Sequence, residues 1–301
     1  VSVVHHHGDL GLLARTLDSV TSQAAATRVL VNDATAEETD AIRALLPAGD
    51  VIASATNLGF AGGHNANAAA LFDDGADAVL VLNPDVRLAP DTVATLAAFA
   101  DGCAVLAGPL LLGATRPTLD PDGTIDSAGI RWTPTARHLD ALQGAPASAA
   151  PAEPSPVAGL TGACLLVTRA AYDTIVGATG ELFDEDFFAY REDAELGLRA
   201  GVLGVPSYLV PAAVGWHARG SVGTTRSTSA FANSLGVQNR FLIAFKYGRR
   251  RPGNVLARGA RDLVVVAGVL ARERTSLPGL RNAWRLRGRM HDKRRALFGA
   301  A

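Results

Sequence analysis

The sequence predicts an α/β protein: a mostly parallel, Rossmann-like sheet with helices on both faces, followed by a basic helical extension. Three observations carry that prediction. Short apolar runs alternate with helix-spaced apolar sets through the N-terminal part of the chain, the signature of strand–helix–strand units. The 301 residues are 48% apolar and 19% charged, which suits a folded chain able to bury a large core and excludes a disordered or collagen-like one. Charge is also segregated: from Lys246 onward 15 Lys/Arg stand against 3 acidic residues, whereas the preceding part carries 13 basic and 26 acidic side chains. The chain therefore divides at about residue 247 into an acidic body, 1–247, and a basic extension, 248–301.

Val1 to Val4 reads as a strand, and Leu10, Leu13, Leu17 and Val20 as the buried stripe of a helix. Arg28 to Val31 is a second strand. Thr35 and Glu38 form a capping-box pattern before a helix that carries Ile42, Leu45 and Leu46. Val51 to Ala53 predicts a strand, Asn65 to Phe72 a helix, Val79 to Leu82 a buried strand, and Asp91 to Ala100 a helix. Leu112 to Val157 is rich in Pro, Gly and Asp with little periodicity, and predicts a long loop with a short hairpin around Ile125 to Trp132. Ala163 to Thr168 and Ser207 to Val210 predict strands around helices that begin near Arg169 and Glu192. A helix is expected from about Ser229 through Tyr247, then two or three basic helices after Pro252.

Several function classes drop out at this stage. Cys103 and Cys164 make no CxxC pattern, so neither a structural zinc site nor a disulfide framework is expected, and a reducing compartment fits better. The longest C-terminal apolar run, Leu263 to Ala271, is too short to span a bilayer, and the first apolar run ends at His5, too early for a signal peptide. The basic extension suits an anionic membrane surface better than a nucleic acid, because the body is acidic and no aromatic-basic stripe is present.

In sheets of this kind ligands bind beyond the carboxyl ends of the strands, and four patches lie there. Asn32-Asp33 follows the second strand and offers a carboxylate to a base or ribose; its ordinary reading is a helix-entry Asp. Asn57 to Asn65 is a glycine-rich loop opening a helix, able to cradle a phosphate, yet it is neither GxGxxG nor a P-loop. Asn83-Pro84-Asp85 delivers one carboxylate to a strand end, enough for a Mg²⁺ that takes its other ligands from a diphosphate and water; otherwise it is a Pro-Asp turn. Phe183 to Asp193 crowds acidic and aromatic residues before a helix, placing Asp193 in the first turn, where the helix dipole favours an ionised general base.

In this order the four patches resemble glycosyltransferase family 2, the inverting glycosyltransferase A fold, and within it the bacterial rhamnosyltransferase-like branch. Gly162-Ala163 before a strand, and Trp216-His217 with Gly220-Ser221, extend the resemblance, which covers residues 1–247. It implies that Asp33 contacts the donor base or ribose, with Asn32, Asn57, Gly59, Gly62, Asn65 and Asn83 around the donor. It further implies that Asp85 is the last carboxylate of a metal-binding motif for Mg²⁺ or Mn²⁺, that His217 lies near the diphosphate as a further metal ligand, and that Asp193 of the Glu192-Asp193 pair is the catalytic base. Asn83 replaces the first carboxylate of that motif and Asn32 an aspartate of many relatives, so metal affinity is expected to be modest. His5-His6-His7 is read as the edge of the donor pocket, and a zinc site there is not expected without an acidic partner at ligand spacing.

The implied activity moves a sugar, with dTDP-rhamnose the best-fitting donor, onto a polyprenyl-diphosphate-linked saccharide in cell-envelope glycan synthesis. UDP-galactofuranose or another UDP-sugar is the alternative donor, and a catalytically silent nucleotide-sugar-binding scaffold is the alternative role. The implied location is cytoplasmic, peripheral on the inner face of the cell membrane. No nucleic-acid partner is expected, and the sequence leaves monomer and homodimer open.

Overall fold

The computed structural model describes residues 1–218 and 230–299. Four parallel strands come first: β1 (Ser2–His5), β2 (Arg28–Asn32), β3 (Asp50–Ser54) and β4 (Ala78–Leu82), connected by helices α1 (Leu10–Val20), α2 (Ala36–Leu45) and α3 (Gly59–Asp73). Then follow β5 (Val86–Leu88), α4 (Thr92–Ala100), β6 (Leu106–Thr115), β7 (Asp120–Ser127), β8 (Ile130–Trp132), β9 (His138–Asp140), β10 (Ser155–Val157) and β11 (Cys164–Thr168). The chain continues through α5 (Arg169–Thr179), α6 (Glu192–Val202), β12 (Ser207–His217), α7 (Ala230–Tyr247), α8 (Val255–Ala271) and α9 (Leu277–Phe298).

The main sheet runs β10-β12-β6-β11-β4-β1-β2-β3, with β5 beside β12 and β7 beside β6. Its first half is parallel. The second half is mixed, because β11 runs antiparallel to both β4 and β6 while β12 runs parallel to β6. Alternate strand residues feed two cores, as the period of a pleated strand requires. Leu80 and Leu82 pack with α1, α2 and α4, whereas Val79 and Val81 pack with α3, α5 and α6.

Two expectations need correction. The segment expected as a long loop from Leu112 to Val157 holds the end of β6, all of β7, the separate β8–β9 hairpin and β10. Tertiary pairing overrides its turn-rich composition. The strand predicted to stop at Val210 continues to His217, passing Pro211 through a register shift between Val210 and Val214, the kind of irregularity at which a strand tolerates proline. A smaller difference concerns α3, which starts at Gly59 rather than Asn65. A Cβ at Gly63 would come within 2.8 Å of Val4, so the glycines that weaken the local helix signal let α3 press against β1.

The extension is not a detached tail. A third apolar cluster joins Phe187 of the acidic loop to Leu242, Ile243 and Tyr247 of α7 and to Ala283 and Met290 of α9. Gly279 of α9 lies directly against the Ser234 carbonyl of α7, where a side chain has no room.

Candidate active site

Of the predicted site residues, Asp33, Asn57, Asn83, Asp85, His217 and the Glu192-Asp193 pair fall into three groups beyond the strand ends, whereas Asn32, Gly59, Gly62 and Asn65 do not join them. In the first, β1 and β2 end in His6, His7 and Asp33, whose ligating atoms lie within 4.8 Å of one another. His7 and Asp33 both adopt left-handed backbone conformations, at φ 45° and 49°, which turns their side chains out beyond the sheet. Asn57 reaches this group through its amide, 2.9 Å from His6 Nε2, and Glu38 lies 3.3 Å from His7. The acidic partner that His5-His6-His7 lacks in sequence is thus supplied in space by Asp33. His5 itself is fully buried, 3.2 Å from Glu38, and burial lowers its pKa.

The glycine-rich loop is more scaffold than cradle. Asn32, expected beside the nucleotide, is buried; its amide donates to the Gly59 carbonyl, and its oxygen accepts from the Leu58 N–H at 3.0 Å. Gly59 has φ 71°, and a Cβ there would lie 2.5 Å from the Phe188 carbonyl, so the loop seats directly on the acidic segment. Asn65 is likewise bound to Phe183 and Glu185, and with Gly62 it faces a hollow shared with Tyr172 and Glu181. Neither lines the strand ends as expected. Asn57, Asp33 and Asn83 are the members of the expected donor set left at the open rim.

The second group centres on Asp85. His217, at the end of β12, places Nε2 3.3 Å from Asp85 Oδ1 and Nδ1 2.8 Å from Asp126 Oδ2. Burial opposes charge on this ring, but hydrogen bonds to Asp126 and Asp85 overcome it and raise the pKa to about 9. Arg116, at the tip of the β6–β7 hairpin, donates to Asp85 Oδ2 at 2.8 Å. Asp126 and Arg116 were not predicted, since both belong to the segment read as loop. Nothing in the linear sequence ties Asp126 to a histidine 91 residues away.

These residues fit a divalent cation that takes the place of the His217 Nε2 proton, since only the neutral ring can ligate. Asp85 Oδ1 and His217 Nε2 are close enough to share one ion, and Asp126 fixes the far ring nitrogen as outer carboxylates commonly do at histidine metal ligands. Gly220-Ser221, also part of the sequence pattern, lies outside the described residues.

The third group is the Glu192-Asp193 pair at the start of α6. Asp193 accepts from the Gly162 N–H at 3.0 Å and from the Ala194 N–H at 2.7 Å, so two backbone amides fix its carboxylate. The same Gly162-Ala163 segment touches the second group, because the Asn83 N–H donates to the Ala163 carbonyl at 2.9 Å. Glu192 turns inward and is buried, and its Oε2 has no hydrogen-bond partner among the described residues. Burial, reinforced by the charge of Asp193, raises its pKa well above the ordinary range. Asp193, unlike Glu192, is only partly buried.

The turn before this pair is strained and heavily braced. Phe188, Tyr190 and Arg191 have φ of 63°, 66° and 69°, uncommon for side-chain-bearing residues. Asn239 of α7, fully buried, donates its amide to the carbonyls of Phe187, Ala189 and Tyr190 at 2.9, 2.8 and 2.6 Å. Beneath it, Asp184 binds Lys246 and Lys293, each at 2.6 Å. These are the only two lysines in the sequence. Burial disfavours charge on Asp184, yet the two ammonium groups prevail and hold it down at about 2. Lys246 also binds Glu195 at 2.6 Å, and Glu195 is paired with the buried Arg199.

No family model matches the chain. It is 34% identical over 202 residues to the N-acetylglucosaminyl-diphospho-decaprenol L-rhamnosyltransferases of two Mycobacterium tuberculosis strains. The match covers 58% of this chain and 58% of each relative. Among solved structures, the crystal structure of GalNAc-T7 with UDP, GalNAc and Mn²⁺ superposes on 79% of this chain and 46% of its own, with TM-score 0.59 and 15% identity. The fold is the glycosyltransferase A fold, and the similarity to the rhamnosyltransferases bears out the resemblance to the rhamnosyltransferase-like branch of glycosyltransferase family 2.

Proposed function

We propose that this chain, with its glycosyltransferase A fold and its likeness to the rhamnosyltransferases, is an inverting glycosyltransferase that moves rhamnose from dTDP-rhamnose onto a polyprenyl-diphosphate-linked saccharide. One observation carries the reading: a carboxylate fixed by two backbone amides, Asp193, is joined through Gly162-Ala163 and Asn83 to the Asp85–His217 pair at the same sheet edge. Base and leaving-group sites are thereby held on one rigid frame, as a single displacement requires.

In this mechanism Asp193 accepts the proton of an acceptor hydroxyl as that oxygen attacks the anomeric carbon from the face opposite the nucleotide, which inverts the configuration. The C–O bond to the nucleoside diphosphate breaks, and negative charge grows on the departing phosphate. Arg116, bound to Asp85, would meet that charge, and Asp85 with His217 would hold a Mg²⁺ or Mn²⁺ there. Such an ion supplies Lewis-acid stabilisation of the leaving diphosphate. Asp33, with His6, His7 and Asn57 around it, would meet the base or ribose. The structural neighbour crystallised with UDP and Mn²⁺ supports a nucleotide and divalent-ion site on this fold.

The acceptor assignment is supported by the decaprenol-linked substrate in the relatives' name. With such an acceptor the enzyme would work at the inner face of the cell membrane, and residues 248–301 would form its membrane-facing extension. Among the described residues no helix is long and apolar enough to cross a membrane. Calorimetry with dTDP, UDP and GDP, with and without Mn²⁺, tests the donor, using wild type and Asp85→Ala. Metal-dependent preference for dTDP, lost in the variant, is the expected result. Preference for UDP would reassign the donor sugar. No binding of any nucleotide would refute the transferase.

A further inference from the structure

We infer that the outer face of α8 docks on an anionic lipid bilayer, lying in its surface. This deepens the transferase reading by placing the enzyme beside a lipid-borne acceptor. Leu256, Leu263 and Leu270 recur every two turns and are 83%, 73% and 57% exposed, flanked by exposed Val255 and Val264. The other outward positions, Gly259, Ala260, Ala267 and Ala271, are small and uncharged. The charged residues of the helix turn the other way. Arg258 is buried, Arg261 is partly buried with its Nε out of solvent, and Asp262 is held inward by Arg240 at 2.7 Å and Arg251 at 2.6 Å. A continuous apolar face of this kind, bare of charge and open to solvent, marks an interaction surface.

Charge selects the occupant. Exposed arginines stand beyond both ends of α8, Arg249 and Arg250 before it and Arg272 and Arg274 after it, the latter pair around exposed Glu273, so that both ends keep a net positive charge. A second copy packed face to face would bring these clusters against each other, whereas anionic headgroups neutralise them while acyl chains take the leucines. On the adjoining helix, exposed Trp284 stacks under the Arg287 guanidinium at 4.1 Å, a pair suited to the headgroup layer. The surface is also tied to the chemistry. The Asn254 N–H that opens α8 donates to the Pro134 carbonyl in the turn of the β8–β9 hairpin, and His138 of that hairpin lies 3.2 Å from Arg191, next to Glu192-Asp193.

The test is sedimentation of the whole chain with vesicles of phosphatidylglycerol and phosphatidylcholine in equal parts, and with phosphatidylcholine alone. Binding to the anionic vesicles that weakens in high salt is expected. The Leu256→Glu/Leu263→Glu variant should lose about a hundredfold or more in partitioning, since two leucines leave the acyl region and two charges replace them. Both side chains are solvent-exposed, so the variant should keep the wild-type thermal melt and nucleotide binding. Vesicle binding unaffected by the double substitution, or absent from the wild type, would overturn the inference. So would light scattering that finds a dimer which the substitution dissociates. Because the vesicles carry neither donor nor acceptor, a failed transferase assay leaves this result standing. Equally, failure to sediment leaves turnover of a water-soluble acceptor analogue to be judged separately.

Discussion

Replacing Lys293 by Met removes one of two cations from the buried Asp184 carboxylate and unfastens α9 from the acidic loop. Lys293 binds Glu181, Asp184 and Asp186 at 2.7, 2.6 and 2.8 Å, so three acidic groups lose a partner at once. A carboxyl titrating at about 2 when folded, against 3.8 ordinarily, contributes on the order of 2 kcal/mol at neutral pH. Breaking a buried pair outright costs about 3–5 kcal/mol. Lys246 remains bound to Asp184 and Lys293 is a fifth exposed, so the expected loss is about 2–3 kcal/mol. The sign in acid follows from the depressed pKa: the wild-type contribution is complete above pH 3.8 and disappears as pH falls through about 2. In the variant Asp184 titrates nearer its ordinary value, so less stability is lost between pH 3.8 and 2 and the gap to wild type narrows as pH falls through that range. Urea unfolding across the acid range reads both effects. Adding Asp184→Asn to Lys293→Met should lower stability by less than the two separate losses together. Arg295→Met, on an exposed position of the same helix, should change stability by less than about 0.5 kcal/mol. A Lys293→Met chain with wild-type stability and an unshifted acid profile would refute the reasoning.

Asp193→Asn should lower turnover by about 10² to 10⁴-fold while donor binding, read by calorimetry, stays within a factor of a few. Asp126→Asn should weaken Mn²⁺-dependent nucleotide binding by about 10 to 100-fold, because Asp126 orients His217 without reaching the ion; equal affinity in the variant would show the contact to be idle. Asn239→Ala leaves three carbonyls of a strained turn without their donor, and both melting temperature and turnover should fall, with nucleotide affinity least affected. Gly59→Ala should destabilise the chain by about 1–3 kcal/mol in denaturant, since neither the positive φ nor the Phe188 carbonyl accommodates a Cβ.

The strand-helix alternation, and the position of Asp33 and Asp85 just beyond strands, were legible in the sequence because both are local. Apolar period reports which face of an element is buried, and the parallel-sheet rule then says where to look for a site. What stayed hidden depends on contacts between distant segments. β6 contains Gly108, Pro109 and Gly113, and β7 is mostly polar, so neither shows strand composition; pairing with β11, β12 and each other makes them strands. Asp126 and Arg116 were lost with them. For Asn32 and Asn65 the residue type was conspicuous but its direction was not: an asparagine beside a glycine-rich loop serves equally well to bind a ligand or to hold the loop.

The basic extension shows the limit of charge counting most plainly. A net positive run read from sequence has a sign but no direction. In three dimensions its cations separate into distinct uses. Lys293 joins Lys246 of the body on buried Asp184; Arg251, with Arg240 from the body, holds Asp262 inward. Only the exposed arginines remain to meet an outside partner. Asp184 and Glu195 are fully buried; the body meets them with Lys246 and Arg199, and the extension adds Lys293 on Asp184. Separating the extension from the body would therefore take Lys293 from Glu181, Asp184 and Asp186 and uncover the apolar cluster that α9 completes beneath the turn before Asp193. By that argument a chain ending at Tyr247 should lose the base's geometry along with any membrane contact, whereas Leu256→Glu/Leu263→Glu should lose only the contact. Turnover of a water-soluble acceptor analogue tells the two apart: it should collapse in the truncated chain and persist in the double variant, and equal retention in both would show the buried ion network to be dispensable to the site.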